Sequence, residues 1–129
     1  MVMPINKDSK ILVVDDSSAV RTIVKKLLTQ LGYDDVDEAS NGVEALAKIY
    51  AKPYSLVISD WHMEPMNGRV LLERVRKNVK YAKLPFIMMT AETDADKVAE
   101  AKYAGVNSFI NKPFNGEALQ AKITQIKSE

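Results

Sequence analysis

The chain has 129 residues, enough for one domain that buries roughly two-thirds of its unfolded surface. Lys and Arg number 18 against 17 Asp and Glu and read as scattered, so the +1 charge gives no electrostatic reason to expect nucleic acid or an anionic membrane as partner. Cysteine is absent, which excludes disulfides, thiol catalysis and thiolate metal sites, and no stretch reaches the roughly 20 apolar residues of a bilayer span. Residues 1–9 lack the apolar region of a signal peptide and are expected as a flexible extension ahead of a domain over 10–129, with a cytoplasmic location.

From Lys10 onward strand and helix patterns alternate. The first strand, Lys10 to Val14, is an unbroken apolar run suited to burial on both faces of a parallel sheet. The first helix starts at Ser17 or Ser18, either of which can cap it, and Gly32 stops it. Its residues Val20, Ile23, Val24, Leu27, Leu28 and Leu31 recur at three and four. The second strand, Asp35 to Ala39, is the most polar and reads as an edge strand. Asn41 with Glu44 three residues later resembles a capping box opening the second helix. The third strand runs from Ser55 to Ser59 or Asp60, and the third helix from Gly68 to Asn78 on Val70, Leu71, Leu72 and Val75. The fourth strand is Pro85 to Met89, and the fourth helix Asp94 to Ala104, closed by Gly105. The fifth strand is Ser108 to Asn111, and the fifth helix runs from Asn115 to Lys127 on Leu119, Ile123 and Ile126. Five such units with short connections predict an α/β fold, a (βα)5 doubly wound parallel five-stranded sheet with helices on both faces.

Polar residues sit at the ends of these strands. Asp15 and Asp16 follow the first, Asp60 the third, Thr90 the fourth and Lys112 the fifth. Parallel strands joined by helices all finish on one edge of their sheet, where ligands of such folds bind. Each residue alone has a plainer explanation: helix capping for Asp15 or Asp16, turn chemistry for Ser59-Asp60, strand propensity for Thr90, a solvated loop for Lys112. The coincidence at four of five strand ends is what those explanations leave out. Two like charges about 4 Å apart repel by about 4 kcal/mol at an effective dielectric near 20, so three carboxylates in one crevice must bind a cation or give up ionisation. An all-oxygen set with no Cys and a single His favours Mg²⁺ over zinc or copper. A carboxylate is also a competent nucleophile toward phosphorus, while Lys112 and Thr90 could hold phosphoryl oxygens.

Together Asp15-Asp16, Ser59-Asp60-Trp61-His62-Met63, Thr90-Ala91-Glu92 and Asn111-Lys112-Pro113-Phe114 resemble the receiver domains of two-component response regulators, in particular the single-domain chemotaxis (CheY-like) type. The resemblance spans Lys10 to Ile126. It implies the flavodoxin-like strand order 2-1-3-4-5, with Asp60 as phosphoacceptor in a stand-alone response regulator. Asp15, Asp16, Asp60 and the backbone carbonyl of His62 would hold Mg²⁺. Thr90 would be the switch hydroxyl, Lys112 the phosphate contact and Lys112–Pro113 a cis bond. The implied partners are a CheA-like sensor histidine kinase, a phosphatase and a protein target on the face of the fourth helix, fifth strand and fifth helix. The domain is expected to act as a monomer, with self-catalysed phosphotransfer and autodephosphorylation rather than as an enzyme on other substrates.

Three positions depart from the chemotaxis pattern. Phe109 replaces the usual switch Tyr, and His62 stands where Asn is frequent, giving His62 and Glu92 a tuning role over the phosphoryl group. Thr93-Asp94-Ala95-Asp96-Lys97 is more acidic than the motor-binding members, which argues against the flagellar motor switch as target. A phosphate sink or a non-flagellar target are the alternatives within this reading. Outside it, a haloacid-dehalogenase-type phosphatase needs its acids one residue apart after the first strand, whereas Asp15 and Asp16 are adjacent. A flavodoxin-like binder needs a phosphate loop free of such acids.

Overall fold

A computed structural model describes residues 5–91, 99, 102 and 105–127. Its elements are β1 (Ile11–Val14), α1 (Ser18–Gln30), β2 (Val36–Ala39), α2 (Gly42–Ala51), β3 (Leu56–Asp60), α3 (Gly68–Lys77), a 3-10 turn (Val79–Tyr81), β4 (Phe86–Thr90), β5 (Ser108–Asn111) and a C-terminal helix (Gly116–Lys127). The five strands form one parallel sheet in the order β2-β1-β3-β4-β5, the expected fold and strand order. The helix expected at Asp94–Ala104 falls outside the described residues except for Ala99 and Lys102, both helical.

The local signals operate as their chemistry dictates. Ser17, not Ser18, caps α1, its hydroxyl accepting from the Val20 N–H at 3.3 Å. Gly32 ends that helix at φ 98°, a left-handed conformation that favours glycine, and lets the Tyr33 N–H reach back to the Leu28 carbonyl. Asn41 caps α2, but the Glu44 carboxylate accepts from the Ser40 hydroxyl at 2.8 Å, so the capping box closes on the preceding residue. The 3-10 turn carries no apolar periodicity and is an addition to the expected elements. β4 extends one residue further than expected and includes Thr90.

Alternation along the strands divides the core into two layers. Ile11, Val13, Leu56, Ile58, Ile87 and Met89 pack with α1 and the C-terminal helix through Val24, Leu28, Leu119 and Ile123. Leu12, Val14, Val57, Phe86 and Met88 pack with α2 and α3 through Ala45, Ile49, Leu71, Leu72 and Val75. Each such side chain contributes about 1.5–3 kcal/mol, while an exposed ion pair contributes about 0–1 kcal/mol, so these layers rather than the surface ion pairs hold the fold. Residues 5–9, expected as flexible, are docked instead. Ile5 is buried in the first layer, and the Lys7 ammonium donates to the Leu31 carbonyl at 2.5 Å. An apolar residue that can close the end of a helix–sheet layer gains more by burial than an extension gains by mobility.

Gly68 couples this packing to the strand edge. Its N–H donates to the Trp61 carbonyl at 2.9 Å, and a Cβ built there would lie 2.2 Å from the Asp60 carbonyl oxygen. Helix α3 therefore meets the backbone of β3 at a distance only glycine permits. Gly68→Ala should lose about 1–3 kcal/mol of stability in urea unfolding and change the emission of Trp61, the only tryptophan. Unchanged stability would mean that α3 can move off β3 at no cost.

Candidate functional site

The register of the strands assembles the site. Val14 pairs with Ser59, so Asp15 and Asp60, one residue on, come abreast on adjacent strands. Thr90 pairs with Asn111, and the Lys112 N–H donates to the Thr90 carbonyl at 2.8 Å, which brings Lys112 to the same edge. Asp15, Asp16 and Asp60 each present a carboxylate oxygen within 4.8 Å of the others. The Lys112 ammonium donates to Asp15 Oδ2 and pairs with Asp60 Oδ1, both at 2.9 Å. Sequence positions as far apart as 15 and 112 thus meet in one crevice, four of the five expected groups in direct array and Thr90 buried at the end of β4 beside them.

Burial differs sharply across the cluster. Asp15 is 1 % exposed, its other carboxylate oxygen accepting from the Ser17 N–H at 2.9 Å, while Asp16 is exposed. Asp16 lines an open cleft of about 430 Å³ together with His62, Met63, Glu64 and Asn67. His62 is exposed there, Glu92 lies outside the described residues, and Phe109 is half-buried against the α2–α3 layer. The bond between Lys112 and Pro113 is cis, as the resemblance implies.

Electrostatics follow from that burial. Loss of water pushes the Asp60 carboxyl above its ordinary range; the hydrogen bond from Lys112 pulls it back, and the charge of Asp15 pushes it up again. Burial opposes the charge on Lys112, but its contacts to Asp15 and Asp60 outweigh this and hold the ammonium above its ordinary value. Lys112 therefore stays charged and Asp60 carries an unrelieved penalty for ionisation. Three carboxylates against one ammonium leave two negative charges on an all-oxygen donor set. That balance fits a hard divalent cation such as Mg²⁺, with Asp15, Asp16 and Asp60 to hold it.

Two supporting residues escape the sequence reading. Arg21 donates to the Asp15 carbonyl at 2.7 Å and to Glu38 of β2 at 3.1 Å, tying the acidic loop to the edge strand. Nothing in the spacing of Arg21 names these acceptors. Gly68, taken there only as the start of a helix, makes the close approach to Asp60. The turn from Asp15 to Ser17 was legible in principle, because an Asp side chain readily accepts from the N–H two residues on.

Because the folded protein raises the pKa of Asp60, the penalty on its charge is absent below the carboxylate range and grows as pH rises through it. Asp60→Asn in metal-free buffer should therefore raise the unfolding temperature by a few degrees at pH 7, and the gain should vanish as Asp60 protonates on acidification. Excess Mg²⁺ should stabilise the parent protein more than Asp60→Asn. A pH-independent difference in melting, measured by circular dichroism, would show that ionisation of Asp60 is not the source.

Comparison with known proteins agrees with this geometry. Residues 11–124 match the sequence model of the response regulator receiver domain. The chain is 41% identical over 122 residues to chemotaxis protein CheY-3 of Vibrio cholerae, covering 95% of this chain and 94% of that protein. It is 46% identical over 115 residues to chemotaxis protein CheY1 of Helicobacter pylori, covering 88% and 93%. The solved structure of chemotaxis response regulator CheY4 of Vibrio cholerae superposes with a TM-score of 0.86 at 36% identity, covering 92% of this chain and 98% of that one. With the acidic triad, the lysine bridge and the strand order in place, the chain belongs to the response regulator receiver domain family and is a CheY-like member of it.

Proposed function

We propose that Asp60 accepts a phosphoryl group from a phosphohistidine of a CheA-like sensor kinase, and that the resulting aspartyl phosphate switches a protein-binding face. The observation that carries this is the Lys112 ammonium, 2.9 Å from each of two buried carboxylates beside the exposed Asp16. An Asp60 oxygen attacks phosphorus; its O–P bond forms as the P–N bond breaks, and the kinase imidazole leaves with the electron pair. Asp15, Asp16, Asp60 and the His62 carbonyl would hold Mg²⁺, which would supply neutralisation of the transferring group. Lys112 gives up its contact with Asp60 for a phosphoryl oxygen, and the Thr90 hydroxyl donates to another. The close array of donors lets the domain catalyse its own phosphorylation and, with water, its own dephosphorylation. His62, exposed in the cleft beside Asp16, and Glu92, which lies outside the described residues, are assigned the tuning of the phosphoryl lifetime.

Movement of Thr90 toward the phosphoryl group frees space that Phe109 fills. Phe109 borders a surface groove of about 420 Å³ lined also by Ile110, Pro113, Phe114, Ala118 and Lys122, between β5 and the C-terminal helix. This groove is the output face of a cytoplasmic, monomeric regulator; the segment at 94–104, expected to share that face, lies outside the described residues except for Ala99 and Lys102. Its target is a protein other than the flagellar switch, or the domain drains phosphate from a shared kinase. The acidic positions Asp94 and Asp96, on which the argument against the flagellar switch rests, lie outside the described residues.

Asp60→Ala should abolish uptake of hydroxylamine-labile phosphate from acetyl phosphate, measured with labelled donor. A full equivalent in that variant would move the nucleophile elsewhere. Lys112→Ala should still take up phosphate, at a rate reduced by about 10²-fold on the scale of a lost charge-stabilising group. Amide spectra of its phosphorylated form should then lack the shifts at Thr90, Phe109 and the C-terminal helix that the parent protein shows. Equal shifts in both would separate Lys112 from the coupling.

A further inference from the structure

Lys and Arg are scattered along most of the chain, but one segment, the end of α3 and the 3-10 turn after it, is purely basic. Residues 74–83 contain Arg74, Arg76, Lys77, Lys80 and Lys83 and no acid. Arg76 is committed inward, donating to the carbonyls of Leu84 at 2.7 Å and Gly105 at 2.9 Å and to Asn107 Oδ1 at 2.9 Å. Its longer contact to the Tyr81 carbonyl, 3.4 Å, helps fix the 3-10 turn against α3. Arg74, Lys77, Lys80 and Lys83 are exposed and have no acidic partner among the described residues. Beside them Tyr50 of α2 and Tyr81 of the 3-10 turn approach with ring centroids 5.4 Å apart. Tyr50, Lys52, Pro53, Lys80 and Tyr81 enclose a notch of about 180 Å³, the room of one large side chain. Tyr50 is 47% exposed and Val79 93%, an apolar exposure that neither core layer uses.

We propose that this face is a second docking surface, for an acidic protein segment that places one aromatic or large aliphatic side chain in the Tyr50–Tyr81 notch. Charge complementarity selects the occupant: Lys80, with no acidic partner among the described residues, and Lys52, which also pairs with Asp37 at 3.3 Å, line a pocket with aromatic walls, and Arg74, Lys77 and Lys83 lie on the segment that carries Lys80. The surface is pre-ordered. Arg76 pins the turn that carries Tyr81, and the Lys80 ammonium lies 5.6 Å above the Tyr81 ring. A nucleic acid would use the cations but not a notch sized for one side chain. The face also lies at the opposite end of the sheet from Asp60. Pro53 precedes β3 and Tyr81 precedes β4, and five-residue strands separate them from the site by about 16 Å. Binding here is therefore independent of phosphorylation and leaves the groove beside Phe109 free.

The test is an amide-resonance titration of the full chain with a synthetic peptide of alternating Glu and Ser around a single Phe. A peptide with Gln for Glu and a short single-stranded oligonucleotide serve as the other probes. The acidic peptide should shift residues 48–54 and 74–84 and weaken as salt rises, while the Gln peptide fails. Lys77→Glu with Lys80→Glu, and separately Tyr50→Ser, should each lower its affinity by about ten-fold without changing the fold or the uptake of phosphate. Beryllofluoride should leave the affinity unchanged. No binding of the acidic peptide, equal binding of the Gln peptide, tighter binding of the oligonucleotide, shifts centred on Asp60 or the C-terminal helix, or dependence on beryllofluoride would each overturn the proposal.

Discussion

One ammonium group between two buried carboxylates organises the functional end of this protein. Asp15 and Asp60 end on adjacent strands with almost no access to water, where paired negative charges repel strongly. Lys112, delivered by β5 from the far side of the sheet, contacts both. Removing Lys112 would leave two buried carboxylates uncompensated, whereas neutralising an acid relieves their repulsion, so the ammonium is the member on which the cluster depends. One cation cannot balance three acids, and the residual charge gives the crevice its attraction for a further cation. A ligand that neutralises Asp60 would change what Lys112 contacts.

Such a cluster requires a scaffold that does not yield. The strands β1, β3 and β4 are buried throughout, and the polar Ser59, Asp60 and Thr90 at the ends of β3 and β4 penalise a shift in register. A one-residue slip would carry Asp60 to the opposite face of the sheet. Gly68 brings α3 against the Asp60 backbone, and Arg21 ties the Asp15 carbonyl to the edge strand through Glu38. These contacts are local in space and distant in sequence. They position the site through residues that take no part in its chemistry.

The two ends of the sheet are built from different material. Carboxylates, a hydroxyl and an ammonium converge at the carboxyl ends of the strands, where the connection into α1 is short and polar and that into α3, residues 61–67, folds Trp61 and Met63 into the core. At the amino ends, Tyr54 donates to Asp37 at 2.6 Å and Arg76 gathers the approaches to β4 and β5, closing the sheet with satisfied polar groups. An ionised cluster thus stands at one end of the sheet, and at the other a basic segment beside the Tyr50–Tyr81 pair.

The sequence by itself determined the alternation of strand and helix, because a continuous apolar run and a three-four periodicity bury different faces and cannot be exchanged. It also determined the candidate residues, since Asp15, Asp16, Asp60, Thr90 and Lys112 stand at strand ends and parallel connection requires those ends to share an edge. Its caps at Asn41 and at Ser17, one of two adjacent candidates, were legible because capping is a contact within one turn. The docking of Ile5, the 3-10 turn, the role of Gly68 and the reach of Arg21 to Asp15 were not, because each depends on a partner far along the chain. Only the tertiary structure decided which acid is buried and which faces the cleft. It also decided that Lys112 bridges Asp15 and Asp60 and that a basic segment lies beside two tyrosines. Burial and distance are properties of the packed chain, and they turn a list of ionisable residues into a site with a defined charge.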